Sequence, residues 1–220
     1  YYGYEENQNS NNLVSESSYS LNFDGQGQYI DLGDSDQFGL TNSSEKTIMI
    51  NFKANQYGGY LFSKYENLNS SNSNYFLSFD NGFLHLSGNG TNVFDFGEVY
   101  LNQWYHLALV FEGDNTVNTY IDGEFVGNGQ LNMASSTSSA PLLIGKPVNI
   151  DDNINYFNGK IDNFSIWNVA LTQEQIQDHI VLSLDNEVEG VLGYWNFDEG
   201  YGNVLTDLSG NGNDGTIYGA

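Results

Sequence analysis

Acidic and amide side chains at two places in the chain could hold a cation. Asp162 shares its strand parity with Phe164 and Ile166, so we expect its carboxylate to point toward the core. A buried carboxylate needs backbone donors or a bound cation, because an unpaired buried charge is costly. Residues 207–215 concentrate carboxylate, amide and carbonyl oxygens, which calcium prefers. The alternative is a turn-rich loop closed by local hydrogen bonds.

A second oxygen cluster, at residues 149–153, could hold a functional cation or could be a solvated acidic loop. Tyr75 and Tyr156 lie in or beside loops rich in Asn and Gly, where an aromatic ring could stack on a sugar. The alternative for these tyrosines is packing within strands, since aromatic residues are enriched there.

Catalytic chemistry receives little support from the sequence. The histidines His85, His106 and His179 are scattered and do not have the spacing of a zinc site. Asp198 and Glu199 are adjacent, so in a strand they would point to opposite faces and could not flank one glycosidic bond. We therefore expect a protein that is not an enzyme.

The charge balance excludes several partners. Five lysines, no arginine and 28 acidic residues give a formal net charge of −23 over 220 residues. Nucleic acids and carboxylate-bearing sugars need clustered cations or a guanidinium clamp, so neither is expected. An acidic surface favours a salty medium that also supplies divalent ions, so we expect a secreted, extracellular or cell-surface protein. The sequence has no cysteine and no apolar run long enough for membrane insertion.

The elements that must position these residues are short strands. At least eleven runs rich in Ile, Val, Phe, Tyr and Leu alternate with turn residues, which predicts an all-β fold, a two-sheet antiparallel β-sandwich. Asn81-Gly82 and Asp122-Gly123 are typical of tight hairpins. Thr172 and Gln175 form a capping box, which predicts one short helix near residues 172–180. Residues 1–18 lack a hydrophobic period and are predicted to be an irregular N-terminal arm.

Four motifs in order resemble the laminin-G-like, concanavalin A-like jelly-roll family, a relative of the pentraxins. They are Leu-Asn-Phe-Asp-Gly at 21–25, Trp-Tyr-His-Leu-Ala-Leu-Val at 104–110, Tyr-Ile-Asp-Gly at 120–123 and Phe-Asn-Gly-Lys-Ile-Asp at 157–162. Residues 190–220 resemble the segment that usually opens such a domain, so they either begin a second domain or fold back. We favour fold-back as an edge strand and metal-binding loop, because Val191, Gly193, Trp195 and Phe197 alternate as a half-buried strand. Residues 19–220 then form a single domain.

The resemblance implies two sites. A structural calcium (Ca2+) would be held by Asp24, Asp162, Asp207, Asn211 and Asn213. In pentraxins, a loop at the place of residues 149–153 binds ligand with an earlier hairpin, although Asn74 stands here without an acid and Lys146 where acids are expected. The predicted ligand-binding residues are Asn74, Tyr75, Asn149, Asp151, Asp152 and Tyr156.

The function implied is a non-catalytic, lectin-like binding module that recognises carbohydrate through loops of a calcium-stabilised jelly roll. We expect it to be a monomeric module of a larger adhesin or secreted carbohydrate-active protein, with a glycan or cell-surface ligand as its partner. The chain opens at Tyr1, which fits a segment of a longer protein. The alternative is a structural or protein–protein interaction domain in which calcium only stabilises the fold.

Overall fold

The computed structural model describes residues 4–6, 19–65, 75–89, 92–146, 156–181 and 189–219. It contains sixteen strands and one α-helix within these ranges. The strands are β1 (Tyr4–Glu6), β2 (Tyr19–Asp24), β3 (Tyr29–Asp31), β4 (Glu45–Ala54), β5 (Tyr60–Lys64), β6 (Tyr75–Asp80), β7 (Phe83–Gly88), β8 (Asn92–Glu98), β9 (Tyr105–Glu112), β10 (Thr116–Ile121), β11 (Glu124–Gln130), β12 (Leu142–Ile144), β13 (Asn158–Trp167), β14 (Val191–Trp195), β15 (Val204–Leu205) and β16 (Gly215–Tyr218). The helix is α1 (Gln173–Val181), and a single 3₁₀ turn covers Asp36–Phe38.

The strands form two antiparallel sheets. The first sheet has the order β1-β2-β13-β4-β9-β10-β11, with β14 also paired to β13. The second sheet has the order β15-β16-β3-β12-β5-β6-β7-β8. The predicted all-β sandwich of jelly-roll type with one short helix is therefore confirmed.

Both ends of the chain contribute strands. In the tail, β14 pairs with β13 of the first sheet and β16 pairs with β3 of the second, so residues 191–218 belong to the same sandwich. The expectation of an irregular arm is wrong at Tyr4–Glu6, which pairs with β2 as an edge strand. A three-residue edge strand is held by backbone hydrogen bonds and therefore needs no hydrophobic period to form.

The main core lies between the two sheets. It joins inward-facing side chains of both layers, such as Ile50 and Phe164 from the first sheet and Phe62 from the second. A second, smaller cluster lies on the outer face of the first sheet, where α1 packs Ile176 and Ile180 near Met49 and Trp167. None of the helices in the described ranges is long and apolar enough to cross a membrane.

The capping box forms as the sequence predicts and fixes the start of α1. The Gln175 backbone N–H donates to Thr172 Oγ1 over 3.3 Å, and the Thr172 N–H donates to Gln175 Oε1 over 2.9 Å. These reciprocal bonds satisfy donors that the first turn of a helix leaves unpaired. The helix therefore begins shortly after β13 ends at Trp167, and it packs on the outer face of the first sheet.

A β-bulge in β13 reverses the predicted direction of Asp162. Asn163 adopts a left-handed conformation with φ of 46°, and the pairing with β4 shifts by one residue between Asp162 and Ser165. Before the bulge Ile161 faces the main core, and after it Phe164 faces the same core. The extra residue changes the parity, so the expectation that Asp162 points the same way as Phe164 and Ile166 is wrong. Asp162 is fully buried on the outer face instead.

Candidate functional site

Three tyrosines and one lysine come together on the outer face of the second sheet. The rings of Tyr29 and Tyr218 are stacked, with centroids 4.7 Å apart and planes at 10°. Lys146 Nζ lies 3.4 Å from the centroid of the Tyr29 ring, and Asp31 and Tyr156 are close enough to affect the pKa of Tyr29. We call these five residues, Tyr29, Asp31, Lys146, Tyr156 and Tyr218, the tyrosine site.

The strand register explains why the stacked pair forms. β3 and β16 are antiparallel neighbours, and Tyr29 is directly opposite Tyr218. Along these strands Ile30 and Ile217 point into the main core, so the flanking tyrosines must point outward. Residues directly opposite on antiparallel strands have Cβ atoms about 5 Å apart, which brings two aromatic rings into contact.

A tight turn after β12 places Lys146 over the ring. Gly145 has φ of 89°, and its carbonyl accepts the Phe157 N–H over 2.8 Å. The Lys146 carbonyl accepts the Ser63 hydroxyl over 2.8 Å. These two bonds fix the backbone on both sides of the lysine, and the first also anchors the chain just after Tyr156.

Burial and nearby charges shift the pKa values within the site. Burial raises the pKa of Tyr29, and Tyr218, Asp31 and Tyr156 raise it further. Burial lowers the pKa of Lys146, while the Asp31 carboxylate acts in the opposite direction. The ammonium group therefore has a ring below it and a carboxylate nearby, and both favour its charged form. This arrangement leaves the tyrosine site without an uncompensated positive charge for an anionic ligand.

A shallow crevice adjoins the stacked rings, between β2 of the first sheet and β3 and β16 of the second. It is lined by the apolar residues Leu21, Phe23 and Ile217, and by Gln28 beside Tyr29 and Tyr218. Gln28 Oε1 accepts the Asp24 N–H over 2.7 Å, which leaves its amide N–H groups for another partner. Tyr218 is 43% exposed, so part of its ring faces solvent beside the Gln28 amide. Aromatic surface next to amide donors is the combination that sugar rings need.

The structure separates the predicted ligand-binding residues. Tyr156 lies in the tyrosine site, whereas Tyr75 is fully buried and its hydroxyl donates to the Phe38 carbonyl over 2.7 Å. The prediction for Tyr75 is therefore wrong, because a ring packed on both faces in the core cannot stack on a ligand. Asn74, Asn149, Asp151 and Asp152 lie outside the described residues.

Sequence reasoning missed Tyr29, Tyr218 and Lys146. The outward parity of Tyr29 and Tyr218, each next to a core isoleucine, was a usable signal for exposed tyrosines. Their pairing could not be read from the sequence, because the two residues are 189 positions apart. The sequence indicated only that Lys146 occupies a position where a calcium-binding loop would carry an acid.

The tail loop predicted to bind calcium is closed by its own hydrogen bonds. Asp207 Oδ1 accepts the N–H groups of Tyr194 over 3.1 Å and Ser209 over 2.9 Å, and its Oδ2 accepts the Asn213 N–H over 2.9 Å. The side-chain amides of Asn211 and Asn213 both donate to the Leu192 carbonyl. Backbone donors thus surround the carboxylate, as in the alternative of a loop closed by local hydrogen bonds.

Residues 24–177 match the model of the concanavalin A-like lectin/glucanases superfamily, in its laminin G group. The chain belongs to this family. No curated protein matches the chain.

Several solved structures share the fold of this chain. A proposed carbohydrate-binding protein from Bacteroides ovatus ATCC 8483 is 20% identical, with a TM-score of 0.69 over 91% of this chain and 58% of its own. Domain 4 of AbnA, an extracellular GH43 arabinanase from Geobacillus stearothermophilus solved with arabinotriose, is 23% identical, with a TM-score of 0.57 over 81% of this chain and 80% of its own. A heptameric pentraxin from Limulus polyphemus is 16% identical, with a TM-score of 0.53 over 89% of this chain and 96% of its own. The chain thus spans a little over half of the Bacteroides protein.

The calcium ligands that the concanavalin A-like resemblance implies do not fit one cation in this structure. Asp24 pairs with Asn158, four residues before Asp162 on the same strand, which separates the two acids by about 13 Å. Calcium binds oxygens at about 2.3–2.6 Å, so two of its ligands lie at most about 5 Å apart. Across the described ranges, no three His, Asp or Glu side chains are grouped to hold a metal. Calcium binding itself stays a prediction, without this ligand set.

Proposed function

We propose that this chain is a non-catalytic carbohydrate-binding module that contacts a neutral glycan at the tyrosine site. The observation that carries the proposal is the stacked Tyr29–Tyr218 pair beside a crevice that Gln28 also lines. A sugar ring would lie with its C–H face on Tyr218 while its hydroxyl groups bond to the Gln28 amide. The Bacteroides and Geobacillus relatives, whose names include carbohydrate binding and a bound oligosaccharide, support the same class of ligand.

The charge of the site favours a neutral sugar over an acidic one. Lys146 is the cation of the site, and its ammonium already lies over Tyr29 with Asp31 nearby. The sequence contains no arginine, so a bidentate clamp for a sugar carboxylate cannot form. A net charge of −23 would also repel acidic glycans at long range.

The wider setting that we propose is a secreted or cell-surface protein in which this module is joined to other domains. The acidic composition and the extracellular arabinanase that contains a similar domain support this placement. In this proposal the sugar contacts protein groups alone, and calcium acts on the stability of the fold.

Calorimetric titration with arabinotriose and a panel of neutral oligosaccharides, with sialyllactose as the acidic comparison, tests the proposal. We expect binding of a neutral sugar and a loss of about 10- to 100-fold in affinity for Tyr218→Ala, because stacking on a Tyr ring contributes about 1.5–3 kcal/mol. Tyr100→Ala is the matched control, since Tyr100 is 58% exposed and follows β8, at the opposite edge of the same sheet.

Two results would refute this function. Binding that Tyr100→Ala weakens as much as Tyr218→Ala would show that the tyrosine site is not the contact surface. Absence of binding to every sugar by the folded protein would favour the alternative of a structural or protein–protein interaction domain.

A further inference from the structure

Three exposed aromatic side chains and two exposed acids lie at one corner of the second sheet, where β6, β7 and β8 end or begin. Tyr57 is 50% exposed, Phe83 45% and Tyr100 58%. The acids are Asp80 at the end of β6 and Glu98 at the end of β8, and both are exposed. We call Tyr57, Asp80, Phe83, Glu98 and Tyr100 the aromatic corner.

The strand register places Phe83 between the two acids. Phe83 on β7 is directly opposite Asp80 on β6 and directly opposite Glu98 on β8. Its neighbour Leu84 points into the main core, so Phe83 points outward. Side chains directly opposite on antiparallel strands lie on the same face of the sheet, so one exposed ring has a carboxylate on each side.

Local contacts hold the two tyrosine rings of the corner in place. The Tyr57 ring packs against the buried Phe79 ring, with centroids 5.7 Å apart. A Cβ at Gly82 would lie 3.9 Å from Tyr57 Cε1, so the Tyr57 ring also lies against the turn between β6 and β7. The Tyr100 backbone N–H donates to the Tyr105 hydroxyl over 2.9 Å. The platform is therefore formed before a ligand arrives.

The corner is negatively charged. The charge of Glu98 and a hydrogen bond to it raise the pKa of Tyr100, and Tyr57 raises it further, so this carboxylate and the two tyrosines are close together. None of the five lysines of the sequence lies at positions 55–59 or 75–104, which include the loops and strands of the corner. The corner thus combines aromatic faces with carboxylates that no lysine of these segments can neutralise.

We propose that the aromatic corner binds an arginine-bearing segment of a partner protein. Exposed apolar patches with polar rims are typical of interaction sites. A guanidinium group stacks on aromatic rings and donates paired hydrogen bonds to a carboxylate, so Tyr100 and Glu98 together offer both contacts to one arginine. Lysine can make the electrostatic contact but has no planar group to stack on a ring.

Charge complementarity favours a partner other than a second copy of this chain. The sequence contains no arginine, so a second copy cannot supply the guanidinium group. Two chains with a net charge of −23 also repel each other, whereas the same charge attracts a basic partner at long range. The expected partner is therefore a basic protein.

This interaction is independent of the glycan proposal. In the second sheet, β12 and β5 separate the strands of the tyrosine site, β16 and β3, from β6, β7 and β8 of the aromatic corner. The two ligands also differ in charge, since the proposed sugar is neutral and the arginine is a cation. A glycan titration and a peptide titration can thus fail separately.

An NMR titration of the whole chain with short peptides tests the proposal. The probe is the acetylated and amidated peptide Gly-Arg-Gly-Arg-Gly, compared with versions that carry lysine or the neutral isostere citrulline in place of arginine. We expect the arginine peptide to shift the amide signals of residues 81–83 and 98–100. The lysine peptide should bind at least about threefold more weakly and the citrulline peptide at least about tenfold more weakly. Raising NaCl to about 0.5 M should weaken the arginine peptide as well, because salt screens exposed charges.

Variants locate the contact. Glu98→Gln and Tyr100→Ala should each lower the affinity for the arginine peptide at least about threefold, because each removes one of the two contacts. Glu174→Gln is the matched control for charge, since Glu174 is exposed on α1, which packs on the first sheet. Tyr218→Ala is the matched control for an exposed ring. Both controls should leave the affinity almost unchanged.

Four outcomes overturn the proposal. Absence of binding, or equal affinity for the arginine and citrulline peptides, would mean that the corner does not recognise a cation. An equal loss for Glu98→Gln and Glu174→Gln would mean that the peptide is attracted to the acidic surface as a whole. A concentration-dependent dimer that Tyr100→Ala dissociates, seen by analytical ultracentrifugation, would mean that a second copy covers the corner.

Discussion

His106 should make the stability of this protein fall in mild acid. Its side chain is buried on the outer face of the first sheet, and burial lowers its pKa from 6.5 to about 4, with a smaller contribution from His179. His179 lies on α1 and contacts the Trp167 ring with centroids 4.6 Å apart. Protonation of His106 therefore places a charge beneath the helix, where water cannot solvate it.

The direction and size of this change in stability follow from the pKa of His106, which is 6.5 in the unfolded chain and about 4 in the folded chain. Between pH 6.5 and about 4 the unfolded chain binds a proton at His106 that the folded chain does not, so stability falls as the pH falls through this window. Each pKa unit corresponds to about 1.36 kcal/mol, which gives a loss of about 3 kcal/mol across it. His106→Gln removes the titration, so its free energy of unfolding should not contain this loss.

The measurement is the difference in free energy of unfolding between wild type and His106→Gln, from urea titrations at pH 4.5 to 7.5 in EDTA. The difference is needed because protonation of carboxylates relieves self-repulsion in a chain with net charge −23 and stabilises it in the same range. We expect the wild type to lose about 2–3 kcal/mol relative to the variant. A difference that stays constant within about 0.5 kcal/mol, or an NMR midpoint of His106 near 6.5, would refute the reasoning.

Three further substitutions have expected outcomes. Burial lowers the pKa of Lys46 to about 8, so the free energy of unfolding should rise with pH between about 8 and 10.5. Lys46→Met should therefore add about 1–3 kcal/mol of stability at pH 7 and nothing at pH 11. An equal gain at both pH values would contradict this. Thr172→Ala removes the cap of α1 and should cost about 1 kcal/mol in urea unfolding, whereas an exposed Ser43→Ala should cost almost nothing. Gly145→Ala should cost more than Gly58→Ala, because a Cβ at Gly145 would lie 2.6 Å from the Phe23 ring while one at Gly58 would meet nothing within 4 Å. Equal costs for the two glycines would mean that backbone strain alone accounts for the effect.

Local sequence signals predicted the fold well because this fold is built from local devices. The turns Asn81-Gly82 and Asp122-Gly123 both adopt the positive φ values that tight hairpins require, with Asn81 at 49° and Asp122 at 51°. The capping box at Thr172 and Gln175 forms as written in the sequence. In each case a few neighbouring residues suffice to specify the geometry, so one sequence is enough to find it.

The sites could not be found in this way, because they depend on register. Asn163 tolerates the left-handed conformation, but nothing in the neighbouring residues says that β13 gains one residue there against β4. That single residue turns Asp162 from the expected core position to the opposite face. Likewise, Tyr29 meets Tyr218 only because β16 pairs with β3 across almost the whole chain. Strand pairing over such separations leaves no local trace.

The two outer faces of the sandwich differ in their exposure to solvent, because α1 packs onto the first sheet. α1 packs onto the first sheet and covers the cluster around Met49 and Trp167, so this part of that face is closed to solvent. On the second sheet Tyr218 keeps part of its ring in solvent, beside the Gln28 amide. A ligand that exchanges with solvent therefore suits the second face. Glycan binding at the tyrosine site should consequently tolerate EDTA, because the proposed contacts are made by Tyr218 and Gln28 and not by a cation; a loss of binding in EDTA would contradict this.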